Sequence, residues 1–170
     1  MFAPGQLVVY PTHGVGVVDR LDSQEIGGMK VEFYIVRILG NNMTLMVPVN
    51  NAKNVGLREL SPKDYCLEIM ESLKDRSGFH GYTGQNWNRR YREYSERLKS
   101  GALADSCHVL KELLLISGEK DLSFGERRLL EQAMNLVTME VACVMDNQQE
   151  LIQNEIELMF EDILTAREKN

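Results

Sequence analysis

The spacing of apolar residues changes once along this chain, at Ser61-Pro62. Before that point apolar side chains come in short runs with a period near two, punctuated by glycine and asparagine. After it they recur at helical spacing over long stretches. A period of two suits half-buried strands and a period of about 3.6 suits amphipathic helices. One kind of element cannot serve both halves. The expected fold class is therefore α+β with two domains, residues 1–60 and residues 61–170.

Residues 1–60 predict five short strands. Gln6–Tyr10 is a brief apolar run stopped by Pro11, and Gly14–Val18 follows it. Ile26-Gly27-Gly28-Met29 predicts a hairpin turn, Val31–Leu39 the longest strand, and Gly40-Asn41-Asn42 a second turn. Thr44–Val49 and a segment near Val55–Leu60 complete the set. Short strands joined by tight turns suggest a small antiparallel β-barrel of the Tudor or SH3 kind. Such a barrel offers edges and faces to other proteins. His13 stands between Thr12 and Gly14 without a ligating neighbour, and is read as a turn residue.

Residues 61–170 predict five helices in a compact domain. Ser61-Pro62 is the expected start of the first, with serine as N-cap. The second spans Asn86–Ser100 and the third about Ala104–Ile116. Ser123-Phe124-Gly125-Glu126 has the pattern of a capping box before a fourth, long helix. Gln148–Ala166 supplies the last.

The second helix carries the chain's most unusual composition. It holds the only tryptophan, Trp87, and Arg89, Arg90, Arg92, Arg97 and Lys99 against Glu93 and Glu96. That island is net +3 on a chain of net −6. Residues 1–60 hold five basic and five acidic groups, so the acidity lies in the helical half, mostly in its last turns. An indole beside closely spaced guanidiniums can wedge into or stack on nucleic acid while the cations hold phosphates. Trp87, Tyr91, Tyr94 and Leu98 also recur at the spacing of an ordinary buried helix face. Spacing alone leaves both readings of Trp87 open.

Nothing else suggests chemistry. The chain has no glycine-rich phosphate loop, no metal-ligand spacing and no nucleophile elbow. Cys107 and His108 are helix neighbours, pointing about 100° apart, and do not form a dyad. The three cysteines, Cys66, Cys107 and Cys143, lie far apart in apolar runs and are read as buried free thiols. No apolar run approaches a membrane span, and the first residues lack the pattern of a signal peptide. The expectation is a cytoplasmic monomer without cofactor or metal, and not an enzyme.

Several long ordered blocks resemble the CarD/CdnL family of bacterial RNA-polymerase-binding transcription regulators, most closely its CdnL type. They are Val8-Val9-Tyr10-Pro11-Thr12-His13-Gly14-Val15-Gly16, Met46-Val47-Pro48-Val49 and Val55-Gly56-Leu57-Arg58. The helical half adds Trp87-Asn88-Arg89-Arg90-Tyr91-Arg92-Glu93-Tyr94 and Leu122-Ser123-Phe124-Gly125-Glu126-Arg127. The resemblance implies a Tudor-like domain that docks on the RNA polymerase β subunit through a strand including Val36, Met46 and Pro48. It implies a helical domain that touches promoter DNA at the upstream edge of the transcription bubble. There Trp87 would wedge into the minor groove, with Arg89, Arg90 and Arg92 as its basic companions, and so stabilise the open complex. Gln24 and Met46 stand where some relatives carry arginines, which implies a more apolar docking contact here. The alternative is a Tudor-like protein-interaction adaptor whose helical domain is structural and has no direct DNA role.

Overall fold

The computed structural model describes residues 1–82 and 87–168. The expected helix start at Asn86 lies outside the described residues. The chain divides into two compact units, Met1–Leu60 and Ser61–Asn170.

The first unit is a five-stranded antiparallel sheet: β1 (Leu7–Tyr10), β2 (Gly14–Ile26), β3 (Met29–Ile38), β4 (Thr44–Pro48) and β5 (Arg58–Glu59), in the order β4-β3-β2-β1-β5. Gly27 and Gly28 both take positive φ, 59° and 80°, as a two-residue hairpin between paired Ile26 and Met29 requires. Gly16 marks a close approach of strands. A Cβ there would stand 2.8 Å from a Val36 methyl and 3.0 Å from the Arg37 carbonyl oxygen. Val8, Val18, Tyr34, Val36, Ile38, Val47, Ala52 and Leu57 form the core of this unit.

The sheet does not close into a barrel. After β4 the chain makes a 3-10 turn (Val49–Asn51) and the one-turn helix α1 (Ala52–Val55) before β5. That leaves β5 two residues long, enough to pair Val8 with Glu59 and Val9 with Arg58 on β1, but not to meet β4.

The second unit is helical: α2 (Lys63–Ser72), α3 (Trp87–Lys99), α4 (Leu103–Ser117), α5 (Phe124–Met145), α6 (Gln149–Met159) and α7 (Glu161–Glu168). The α+β two-domain layout holds, with six helices among the described residues of this unit rather than five. The expected last helix breaks at Phe160, whose side chain is fully buried against the helical core. The capping box forms at α5: the Glu126 N–H donates to the Ser123 Oγ at 3.3 Å, and Glu126 Oε1 accepts from the Ser123 N–H at 2.8 Å.

The start of α2 differs from expectation. Pro62, not Ser61, occupies the N-cap. The N–H and hydroxyl of Ser61 instead donate to Glu140 Oε2, at 2.8 and 2.7 Å, which satisfies a buried carboxylate on α5. Cys66 and Cys107 are buried thiols and Cys143 is half-buried. Among the described residues no helix is long and apolar enough to cross a membrane.

Candidate nucleic-acid interface

Helix α3 sorts its side chains by face. Tyr94 and Leu98 are buried, and Trp87, Arg90 and Arg97 are half-buried on the same side. Arg89, Arg92 and Lys99 are exposed. The sequence island is thus not one basic surface. Arg97 is committed to Asp105, at 3.1 Å, and to Glu93, at 3.7 Å. Arg89 and Arg92, three residues apart on the outer face, have no ion pair among the described residues.

The inner face is anchored by Tyr94. Its hydroxyl donates to Glu112 Oε2 of α4 at 2.5 Å, while His108 Nε2 lies 3.3 Å from the other oxygen. His108 and then Tyr94, both donating to it, hold the Glu112 carboxyl below its usual range despite partial burial. Burial and the adjacent carboxylate push the Tyr94 phenol far above its usual value, so it remains a donor.

Trp87 matches neither expected extreme. It is half-buried and packs against the helical core from the first turn of α3. Its ring meets Tyr91 edge to face, and Gly125 in the first turn of α5 lies beneath both rings. A Cβ on Gly125 would stand 3.6 Å from the indole Cζ2 and 3.9 Å from the Tyr91 Cε2. A methyl fits there at ordinary contact distance, and a longer side chain would compete with the indole for that seat.

Sequence reasoning missed the neighbours of this seat. Phe124 is 77% exposed at the start of α5, and Arg128 lies 6.0 Å over its ring. Tyr91 is 45% exposed. Tyr91 and Phe124 are thus large apolar side chains left partly in water on either side of Gly125, while Arg89 and Arg92 are exposed on the outer face of α3. The signal was present: Phe124 occupies the first position of a capped helix, where no neighbouring turn covers it.

The docking residues expected in the first unit separate too. Met46 is 47% exposed on β4, an edge strand, and Pro48 is half-buried two residues on. Val36 is fully buried in the core of the unit. Its register explains this: Val36 pairs with Leu45, while Met46 pairs with Ile35, so Val36 and Met46 point to opposite faces of the sheet. The Val36 side chain is not available to a partner while the unit is folded. His13 sits in the β1–β2 turn against the Tyr10 ring, at 5.2 Å.

Comparison with known proteins fits this two-part architecture. The domain described as "CarD-like/TRCF RID domain" matches residues 2–61, and "CarD, C-terminal domain" matches residues 68–157. A Bacillus subtilis protein named "Putative transcription factor YdeB" is 25% identical over 146 residues, covering 85% of this chain and 92% of its own length. A solved structure titled as CdnLNt from Myxococcus xanthus is 44% identical over 35% of this chain and 83% of its own, with a TM-score of 0.31. The chain belongs to the CarD family and is a transcription factor of the CarD/CdnL type.

Proposed function

We propose that the protein binds the β subunit of RNA polymerase through its N-terminal unit and promoter DNA through its helical unit, and that it stabilises the open complex without catalysing a reaction. The RID domain is a polymerase-interacting domain, which supports polymerase as the partner. The exposed edge strand β4, with Met46 and Pro48, is the docking surface. The observation that carries the DNA reading is the patch around Trp87. The indole is half-buried, with part-exposed Tyr91 against it, exposed Phe124 next in sequence to the Gly125 beneath it, and the outward Arg89 and Arg92 on the same helix. An aromatic edge flanked by cations suits a minor groove already opening at the upstream edge of the bubble. The arginines position the protein on phosphates, and the sequence of the promoter is left to polymerase. Such a protein works in the cytoplasm, as a monomer at the nucleoid.

The partial burial of Trp87 favours a second reading, a protein-interaction adaptor with a structural helical unit. The two separate on one experiment. Added to polymerase on a promoter, the protein lengthens the open-complex lifetime under the first reading. Polymerase binding with no change in that lifetime supports the adaptor.

A further inference from the structure

Arg90 stands in the same basic block as Arg89 and Arg92, yet its side chain goes elsewhere. It lies on the inner face of α3, one turn after Trp87. Its guanidinium carbon is 5.2 Å from the centre of the Tyr82 ring. Its Nη1 is buried and has no hydrogen-bond partner among the described residues.

Tyr82 is itself fixed. Its N–H donates to Glu119 Oε2 at 2.6 Å, and Lys120 Nζ lies 4.5 Å from the same ring centre. Lys120 Nζ also donates to Glu126 Oε1, at 2.5 Å, the carboxylate that caps α5. Gly125 is the residue before Glu126 and lies beneath the indole. A continuous set of contacts therefore runs from Arg90 through Tyr82, Lys120 and Glu126 to the seat of Trp87.

We propose that Arg90 is a positioning residue: stacked on Tyr82, it holds the first turn of α3 so that Trp87 stays on its seat, and it does not contact DNA. The proposal rests on the DNA reading above for its consequence at promoters, but not for the seat itself. A guanidinium that left Tyr82 for a phosphate would give up a partly desolvated cation–π contact and uncover the ring. Arg89 and Arg92, already in solvent, have no such contact among the described residues.

The test uses the full chain. Trp87 is the only indole, so its fluorescence reports its own seat in free protein. Arg90→Ala and Tyr82→Leu should each make the emission more accessible to acrylamide, and the double variant should add little. Arg90→Lys and Tyr82→Phe, which keep a cation and a ring, should restore most of the shielding. Far-UV circular dichroism should show unchanged helix content for all four single variants.

With polymerase on a promoter, Arg90→Ala should raise the half-saturating protein concentration about threefold to tenfold, the scale of such a contact. The shift should be equal at every salt concentration. Arg89→Ala should instead flatten the log–log salt dependence by about 0.9, the loss of one phosphate contact. A flattening of that size in Arg90→Ala, or unchanged quenching in both Arg90→Ala and Tyr82→Leu, overturns the proposal. If quenching rises as expected while Trp87→Ala leaves the open complex unaffected, the seat stands and the DNA reading falls.

Discussion

The rings of Trp87 and Tyr91 meet edge to face, with centroids 5.7 Å apart and planes at 62°. One face of this pair is taken by Gly125 and the helical core, and Tyr91 remains partly in water. The arrangement holds the indole at a defined angle while burying it only in part. It presents a preorganised aromatic edge.

Gly125→Ala should be tolerated. The added methyl meets the indole at an ordinary contact distance, and alanine favours the helix by up to about 1 kcal/mol over glycine. Gly125→Leu should expel Trp87 from its seat. Quenching of Trp87 emission checks both: shielding unchanged in the alanine variant, lost in the leucine variant.

Phe124→Ala should change folding stability by no more than about 0.5 kcal/mol, because the ring is mostly in solvent. It should nonetheless shorten the open-complex lifetime. A thermal melt and a lifetime assay on the same preparation decide. A large loss of Tm would show that Phe124 serves the fold.

Met46→Asp should abolish binding to the polymerase β subunit and leave the fold intact. An unpaired carboxylate in an apolar contact is costly, while in the free protein Met46 is half in water. Val36→Ala should do the reverse. It removes two buried methylene equivalents from the core, a loss of roughly 1.5–3 kcal/mol, with docking kept in the molecules that remain folded. Titration of the β subunit beside thermal melts separates the two.

Stability should fall in acid through Glu112. Its pKa is lowered from the ordinary 4.5 in the folded protein. Between the two values the unfolded chain binds more protons, so stability rises with pH there. The contribution is complete above about pH 4.5 and is lost as pH falls through the folded value. Tm measured for wild type and Glu112→Gln should differ at pH 6 and converge toward pH 3. A constant gap across that range would contradict the Tyr94–Glu112–His108 contact.

Much of this was legible in the sequence because periodicity reports burial. The strand-to-helix change at Ser61, the capping box at Ser123 and the buried Tyr94 and Leu98 all follow from spacing. The misses share a physical cause: each depends on contacts between distant residues or on which face is covered. The Arg90–Tyr82 contact joins residues eight apart in sequence, and no spacing announces it. Val36 and Met46 both lie on strands of alternating pattern, and only the register tells their faces apart. The break at Phe160 has neither glycine nor proline to announce it, and the short α1 that keeps the sheet open is too brief to show a period. Phe124 stands inside the capping-box pattern, which does not say that its ring is exposed.

The central claim is that Trp87 acts on DNA rather than in the core. Trp87→Ala tests it when one preparation is carried through a thermal melt, a β-subunit binding assay and an open-complex lifetime assay. A fully buried tryptophan would cost about 3–5 kcal/mol on truncation, and a half-buried one less. The expected result is a modest drop in Tm, unchanged polymerase binding and loss of most of the open-complex stabilisation. A collapsed melt, or a normal melt with an unchanged lifetime, would contradict it.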